Sequence, residues 1–252
     1  MITDFARRLR SRETIAGYWI SSGNPVLTER VALTGYDYIC LDMQHGLMDY
    51  TACLNSLIAV QAGGSTGVVR VPTHDPAWIG RALDAGAQAV IVPLVNNAAE
   101  AEAAVRACQY PPHGIRSFGP TRSSLRIGPD PRDADASVGC IVMIETAEAI
   151  ENIEAICAVP GLAGVYVGPQ DLGLALGAQT PREGMALPEF TQTQDRVCAA
   201  AEAAGIGAGM HCFTGESAAA ALRSGFTFFS LSNDLNHLEQ HARNERARAL
   251  GL

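Results

Sequence analysis

The stretch AGAQAVIVP, Ala85 to Pro93, decides how the chain folds. Gly86 sits where a helix has to stop, because only glycine enters the left-handed region at little cost. Four apolar residues, Ala89 to Val92, follow without polar alternation, as in a strand buried on both faces. Pro93 ends the run, and "NAAEAEAAVRACQY" resumes apolar spacing of helical period. Helix, buried strand and helix in that order specify a parallel sheet.

Working outward, the same grammar recurs. Strands are predicted near Ile15–Ile20, Tyr38–Asp42, Gly67–Val71, Ala89–Pro93, Cys140–Glu145, Gly164–Gly168, Gly207–His211 and Thr227–Leu231. Amphipathic segments such as "FTQTQDRVCAAAEAAG" separate them. Eight strands alternating with helices predict an α/β fold, a (β/α)8 TIM barrel, as a single domain over residues 1–252. The competing open sheet would need a dinucleotide loop. "GIGAGM" at Gly205–Met210 lacks the third glycine, and its glycines precede a strand instead of following one. The turn-rich stretch "PPHGIRSFGPTRSSLRIGPDPRDADASVG" is expected to be a βα-type excursion or flap.

Composition excludes several functions. The net charge of −8 disfavours nucleic acid and anionic membranes as partners. No apolar run approaches the ~18 residues that span a bilayer. The start, "MITDFARRLRSRET", lacks an apolar signal core and is expected to form a short amphipathic helix in a cytoplasmic protein. The seven cysteines are scattered and never spaced C-x-x-C, which suits reduced, packed thiols. All 18 basic residues are arginine. A chain without lysine cannot form a lysine Schiff base with a carbonyl substrate.

Catalytic side chains of such barrels stand at the C-terminal ends of strands. "YICLDMQHG" delivers Asp42, Gln44 and His45 after the second strand. Arg70 ends the third, Glu145 the fifth, and Asp171 follows the sixth in "VYVGPQDLG". Taken singly, Arg70 reads as a surface ion pair, Glu145 and Asp171 as helix caps, and His74 and His211 as satisfied loop residues. Taken together, they place charge where buried strands end, which structure alone rarely requires. Glu145 and Asp171 are one βαβ unit apart, on strands roughly 4.8 Å apart. Two carboxylates that close repel unless a cation joins them, and oxygen donors suit Mg2+ or Mn2+. The turn at Gly168–Asp171 offers backbone N–H groups near Gln170 for a substrate carboxylate.

These motifs resemble the HpcH/HpaI aldolase family. The likeness rests on "DMQH", "VRVP", "LDAGAQAVIVPLVN", "PPHGIRSFG", "MIETAEAIENI" and "VYVGPQDLGLALG" and covers nearly the whole chain. It implies a class II lyase that cleaves a 4-hydroxy-2-oxo acid to pyruvate or hydroxypyruvate and an aldehyde. It implies Glu145 and Asp171 as ligands of Mg2+ or Mn2+, with Co2+ as an alternative. Arg70 would stabilise the enolate, and His45 would be the general base, paired with Asp84. Asp42 would orient the site, and Gly168, Gln170, Asp171 and Gln44 would line the substrate. The family also implies a homohexamer, a trimer of dimers, with the C-terminal helix "DLNHLEQHARNERARAL" swapped between subunits. Gln44 stands where the family often has Glu, and Met143 where it often has Gln. The enzymatic alternative is a citramalyl- or malyl-CoA-type lyase, which needs a basic nucleotide pocket, and the sequence shows no obvious one outside the Arg116–Arg122–Arg126 loop. The non-enzymatic alternative is a metabolite-binding barrel.

Overall fold

The computed structural model describes residues 4–251, so the first three residues of the expected N-terminal helix lie outside it. Eight parallel strands close into a barrel in sequential order: β1 Ile15–Ile20, β2 Tyr38–Asp42, β3 Thr66–Arg70, β4 Ala89–Val92, β5 Gly139–Ile144, β6 Leu162–Val167, β7 Gly207–Cys212 and β8 Phe228–Leu231. Each differs from the expected strand by no more than two residues. The largest shift is at β6, where Leu162 pairs with Cys140 but Gly164 pairs with the next residue, Ile141. The extra residue, Ala163, is a bulge that lets the strand begin earlier.

The period-2 pleat explains what fills the barrel and what crowns it. Ile15, Tyr38, Cys40, Val68, Ala89, Ile91, Ile141, Ala163, Tyr166 and Phe228 form the interior cluster, and Phe5 and Leu9 of helix Phe5–Arg10 plug its lower end. Two inward positions must be glycine. A Cβ at Gly17 would strike the Tyr38 ring, and one at Gly209 the Phe228 ring. The outward strand residues, such as Leu41, Val69, Val90, Val142 and Val165, pack against the surrounding helices. At the opening junction, helix Pro76–Asp84 ends and Gly86 takes φ +100 before β4 begins. All seven cysteines are free and buried.

One expectation is corrected. The Pro111–Gly139 stretch follows helix Ala98–Cys108 and carries short helices at Ser124–Ile127 and Pro131–Ser137. A segment after a helix returns the chain to the N-terminal ends of the strands. It is therefore an αβ excursion at the lower face, and no flap over the strand C-termini.

The last helix, Asp234–Leu250, departs from the barrel. Asp234 is its only buried residue. The Asp234 carboxylate accepts the N–H groups of Ser21 at 2.8 Å and Ser22 at 3.2 Å, which ties the helix start to the upper end of β1. Tyr18 Oη and His237 Nδ1 add a contact at 2.7 Å.

Candidate active site

In five of the strands the inward pleat ends on a polar side chain at the upper rim. Tyr38 and Cys40 lead to Asp42, Val68 to Arg70, Ile141 and Met143 to Glu145, Gly207 and Gly209 to His211, and Phe228 to Ser230. Asp42, Arg70 and His211 line a cleft of about 360 Å³ together with Trp19, His45, Tyr166, Gly168 and Asp171, among others; Glu145 lies just behind Gly168 and Ser230 behind His211. A groove of about 540 Å³ near Arg10, Cys157 and Gly161 is larger. Its walls are mostly small apolar side chains, and its Glu154 is already paired with Arg196, so chemistry is assigned to the rim cleft.

Asp42 is the hub. Arg70 Nε and Nη2 donate to its two oxygens at 2.9 and 2.7 Å, a bidentate pair. Trp19 Nε1 donates to Oδ2 at 3.1 Å, and the Arg70 guanidinium lies 5.0 Å from the Trp19 ring centre. Oδ1 also accepts the backbone N–H groups of Gln44 and His45 at 3.1 and 3.2 Å. This Asx-type turn projects His45 to the exposed rim. Burial pushes the Asp42 carboxyl up, but hydrogen bonds and charge from Arg70, then Trp19, hold it below the ordinary value.

Glu145 is 2% exposed. Its Oε1 accepts the N–H of Leu94 at 2.9 Å, while Oε2 is buried without a partner. Leu94 holds φ 55, an uncommon conformation for a leucine, and thereby turns that N–H toward the carboxylate. Burial raises the Glu145 pKa to about 7; the Leu94 N–H opposes this, the Asp171 charge adds to it and Arg70 opposes it. A Cβ at Gly168 would collide with Oε2, so that residue's lack of a side chain leaves the space open. An orphaned buried oxygen, a facing gap and a second carboxylate fit a hard divalent cation. Among the described residues, no group of three or more His, Cys, Asp or Glu is arranged to hold a metal, so protein ligation would rest on Glu145 and Asp171.

The structure brings together Asp42, His45, Arg70, Glu145, Gly168, Gln170 and Asp171. It does not bring two others. Asp84 ends helix Pro76–Asp84 at the lower face, where Arg116 holds it at 2.6 Å. Within one chain the expected pair with His45 does not form, because a helix after β3 ends opposite the strand C-termini. Gln44 does not line the cleft; its N–H serves the Asp42 turn and its buried Oε1 has no partner. His74 is exposed and outside the cleft. In the basic loop, Arg116 is already spent on Asp84, and Arg122 on Ala85 O and Gln61 at 2.6 Å each, which leaves Arg126 exposed.

Sequence reasoning passed over Trp19, Tyr166, Ser230, Asn233, Asn236 and Glu239, and discounted His211. Pleat parity carried the signal for Trp19 and His211, the last inward positions of β1 and β7. Nothing local marked Asn236 and Glu239, which reach the cleft from the C-terminal helix.

The rim chemistry on a (β/α)8 barrel defines the class, a barrel enzyme with a carboxylate pair beside a fixed arginine. Residues 16–240 match the model of the HpcH/HpaI aldolase/citrate lyase family, and the chain belongs to that family. It is 39% identical over 242 residues to a hydroxypyruvate/pyruvate aldolase of Rhizorhabdus wittichii, covering 96% of each chain. It is 33% identical to a 5-keto-4-deoxy-D-glucarate aldolase of Klebsiella pneumoniae, over 92% of this chain and 90% of that one. A crystal structure of a family protein from Burkholderia cenocepacia superposes with a TM-score of 0.88 at 31% identity, covering 97% and 98% of the two chains.

Proposed function

We propose that the chain is a divalent-metal-dependent aldolase that reversibly cleaves a 4-hydroxy-2-oxo acid to pyruvate or hydroxypyruvate and an aldehyde. The observation that carries this reading is the buried, unpartnered Glu145 Oε2 facing Gly168 beside Asp171 and Arg70. Glu145 and Asp171 would hold Mg2+ or Mn2+, with Co2+ as an alternative. When bound, the cation supplies Lewis-acid polarisation of the 2-oxo group.

The chain's own residues do the rest. Arg70 keeps Nε and Nη2 on Asp42, so its remaining N–H groups meet the enolate oxygen. Gln170 and Asp171, following Pro169 at the start of their helix, offer backbone N–H groups to the substrate carboxylate. His45 takes the proton of the 4-hydroxyl. The C3–C4 bond then breaks, C4 becomes the aldehyde carbonyl, and the electron pair passes into the C2–C3 enolate. Protonation at C3 releases the 2-oxo acid. Trp19, Met143 and Tyr166 keep the floor of the cleft dry.

Asp84 can serve His45 only from another copy of the chain, which agrees with a homohexamer built as a trimer of dimers. The bare helix Asp234–Leu250 is then the element that packs on a neighbouring barrel. The protein acts on small molecules in the cytoplasm, where its buried thiols stay reduced. No helix among the described residues is long and apolar enough to cross a membrane.

The test is a panel of 4-hydroxy-2-oxo acids assayed for release of pyruvate or hydroxypyruvate with added Mg2+ or Mn2+. Release from at least one member is expected. Cleavage of a malyl-CoA-type thioester in preference to every free acid would replace this reading.

A further inference from the structure

The cleft holds a polar group that the cleavage step leaves idle, the imidazole of His211. It is the last inward residue of β7 and lines the cleft opposite Arg70 on the barrel. Three contacts fix its ring. Nδ1 lies 3.2 Å from Ser230 Oγ, and the ring stands edge-on to Trp19 at 5.2 Å and to Phe213 at 5.5 Å. Ser230 Oγ in turn bonds the hydroxyl of Tyr166, which is fully buried and stacked on Trp19 at 5.9 Å. We assign the phenol as donor to Ser230 and Ser230 as donor to Nδ1, which puts the ring proton on Nε2. That atom has no partner among the described residues and is not sealed from the cleft.

A rigid N–H aimed at a substrate cleft has to meet something. The carboxylate, the 2-oxo oxygen and the 4-hydroxyl already have Gln170–Asp171, Arg70 and His45. A hydrocarbon group would leave the N–H desolvated and unpaired, which costs binding. We infer that His211 is a specificity residue whose Nε2 hydrogen-bonds a further hydroxyl group on the reactants. This rests on the aldolase reading above. Two reactants can carry that hydroxyl: the 2-oxo acid at C3, as in hydroxypyruvate, or the aldehyde at the carbon next to its carbonyl, as in glycolaldehyde. Burial, and then the Arg70 charge, lower the His211 pKa to about 4, so the ring is uncharged at neutral pH and recognises a hydroxyl without calling for an anion.

The experiment measures two kcat/KM ratios in the Mn2+-loaded enzyme. One is hydroxypyruvate over pyruvate with propanal as acceptor; the other is glycolaldehyde over acetaldehyde with pyruvate as donor. His211→Phe keeps a ring and removes the N–H, whereas His211→Gln keeps a donor. One ratio should fall about tenfold or more in His211→Phe and recover in His211→Gln, since a site built for a hydroxyl discriminates against its absence. The ratio that moves identifies which reactant His211 reads. Both ratios unmoved in His211→Phe, or the same fall in both variants, overturns the inference. Exchange of the pyruvate methyl protons in D2O, followed by NMR without acceptor, monitors the aldolase reading separately. Exchange with unmoved ratios sinks only the role of His211; no exchange in the loaded wild type sinks the aldolase reading and this inference with it.

Discussion

Arg70 and Glu145 carry opposite burdens in one cleft. Arg70 is held as a planar fork on Asp42, so Arg70→Lys keeps the charge but loses the bidentate pair. Activity should fall roughly 10²-fold, as on loss of an oxyanion donor. Turnover near wild type in steady-state assays would remove Arg70 from the mechanism. His45 faces solvent and no carboxylate among the described residues holds it, so His45→Ala should cost about 10² to 10⁴-fold in turnover while divalent affinity is kept. Parallel loss of both, by titration calorimetry and assay, would make His45 a ligand. Glu145 makes the pH prediction. Its folded pKa of about 7 stands above the ordinary carboxylate value, about 4.3 when unfolded. The folded metal-free chain thus holds a proton that the unfolded chain has released between those limits. This contribution to stability is fully present below about pH 4.3 and is lost as pH rises through about 7. Melting temperatures of chelator-treated protein from pH 5 to 8 should fall more steeply for wild type than for Glu145→Gln. Identical slopes would show that Glu145 ionises freely in the folded chain.

At the scale of elements, strand ends are what make the site. The sequence showed the strands clearly, because each is a short, mainly apolar run and glycines such as Gly86 punctuate the helices. It showed Asp42, Arg70 and Glu145 for the same reason, since a charge ending a buried run stands out. Asp84 does not meet His45 within one chain, because "RALDAG" says helix end and nothing about which face of the barrel receives it. His211 was discounted because a single histidine is ordinary in a loop; its meaning came from Trp19, Ser230 and Tyr166, which are distant in sequence. The β6 end offers a test. Gly168→Ala would drive a methyl group into Glu145 Oε2, so divalent affinity should weaken by about tenfold or more while the barrel stays folded. Unchanged affinity by calorimetry would mean that Glu145 does not use the gap at Gly168.

The described residues form a closed barrel whose last helix, Asp234–Leu250, is mostly exposed beyond its buried first residue. Leu238 and Leu250 are 64% and 58% exposed on that helix, which is costly unless a neighbour covers it. A chain ending at Gln240 should sediment as a smaller species than the full protein. Unchanged mass by analytical ultracentrifugation would separate the helix from assembly. The absence of lysine acts at this scale too, because it closes the imine route for every site in the protein. In the proposed mechanism, enolate stabilisation then falls on Arg70 and on whatever Glu145 and Asp171 hold. The most direct measurement is 4-hydroxy-2-oxo acid cleavage before and after chelation, with elemental analysis of the treated protein and a borohydride trap run in parallel. Turnover should vanish with EDTA, return with Mg2+ or Mn2+, and leave no reduced adduct by mass spectrometry. Full turnover in protein shown to be metal-free would contradict the account.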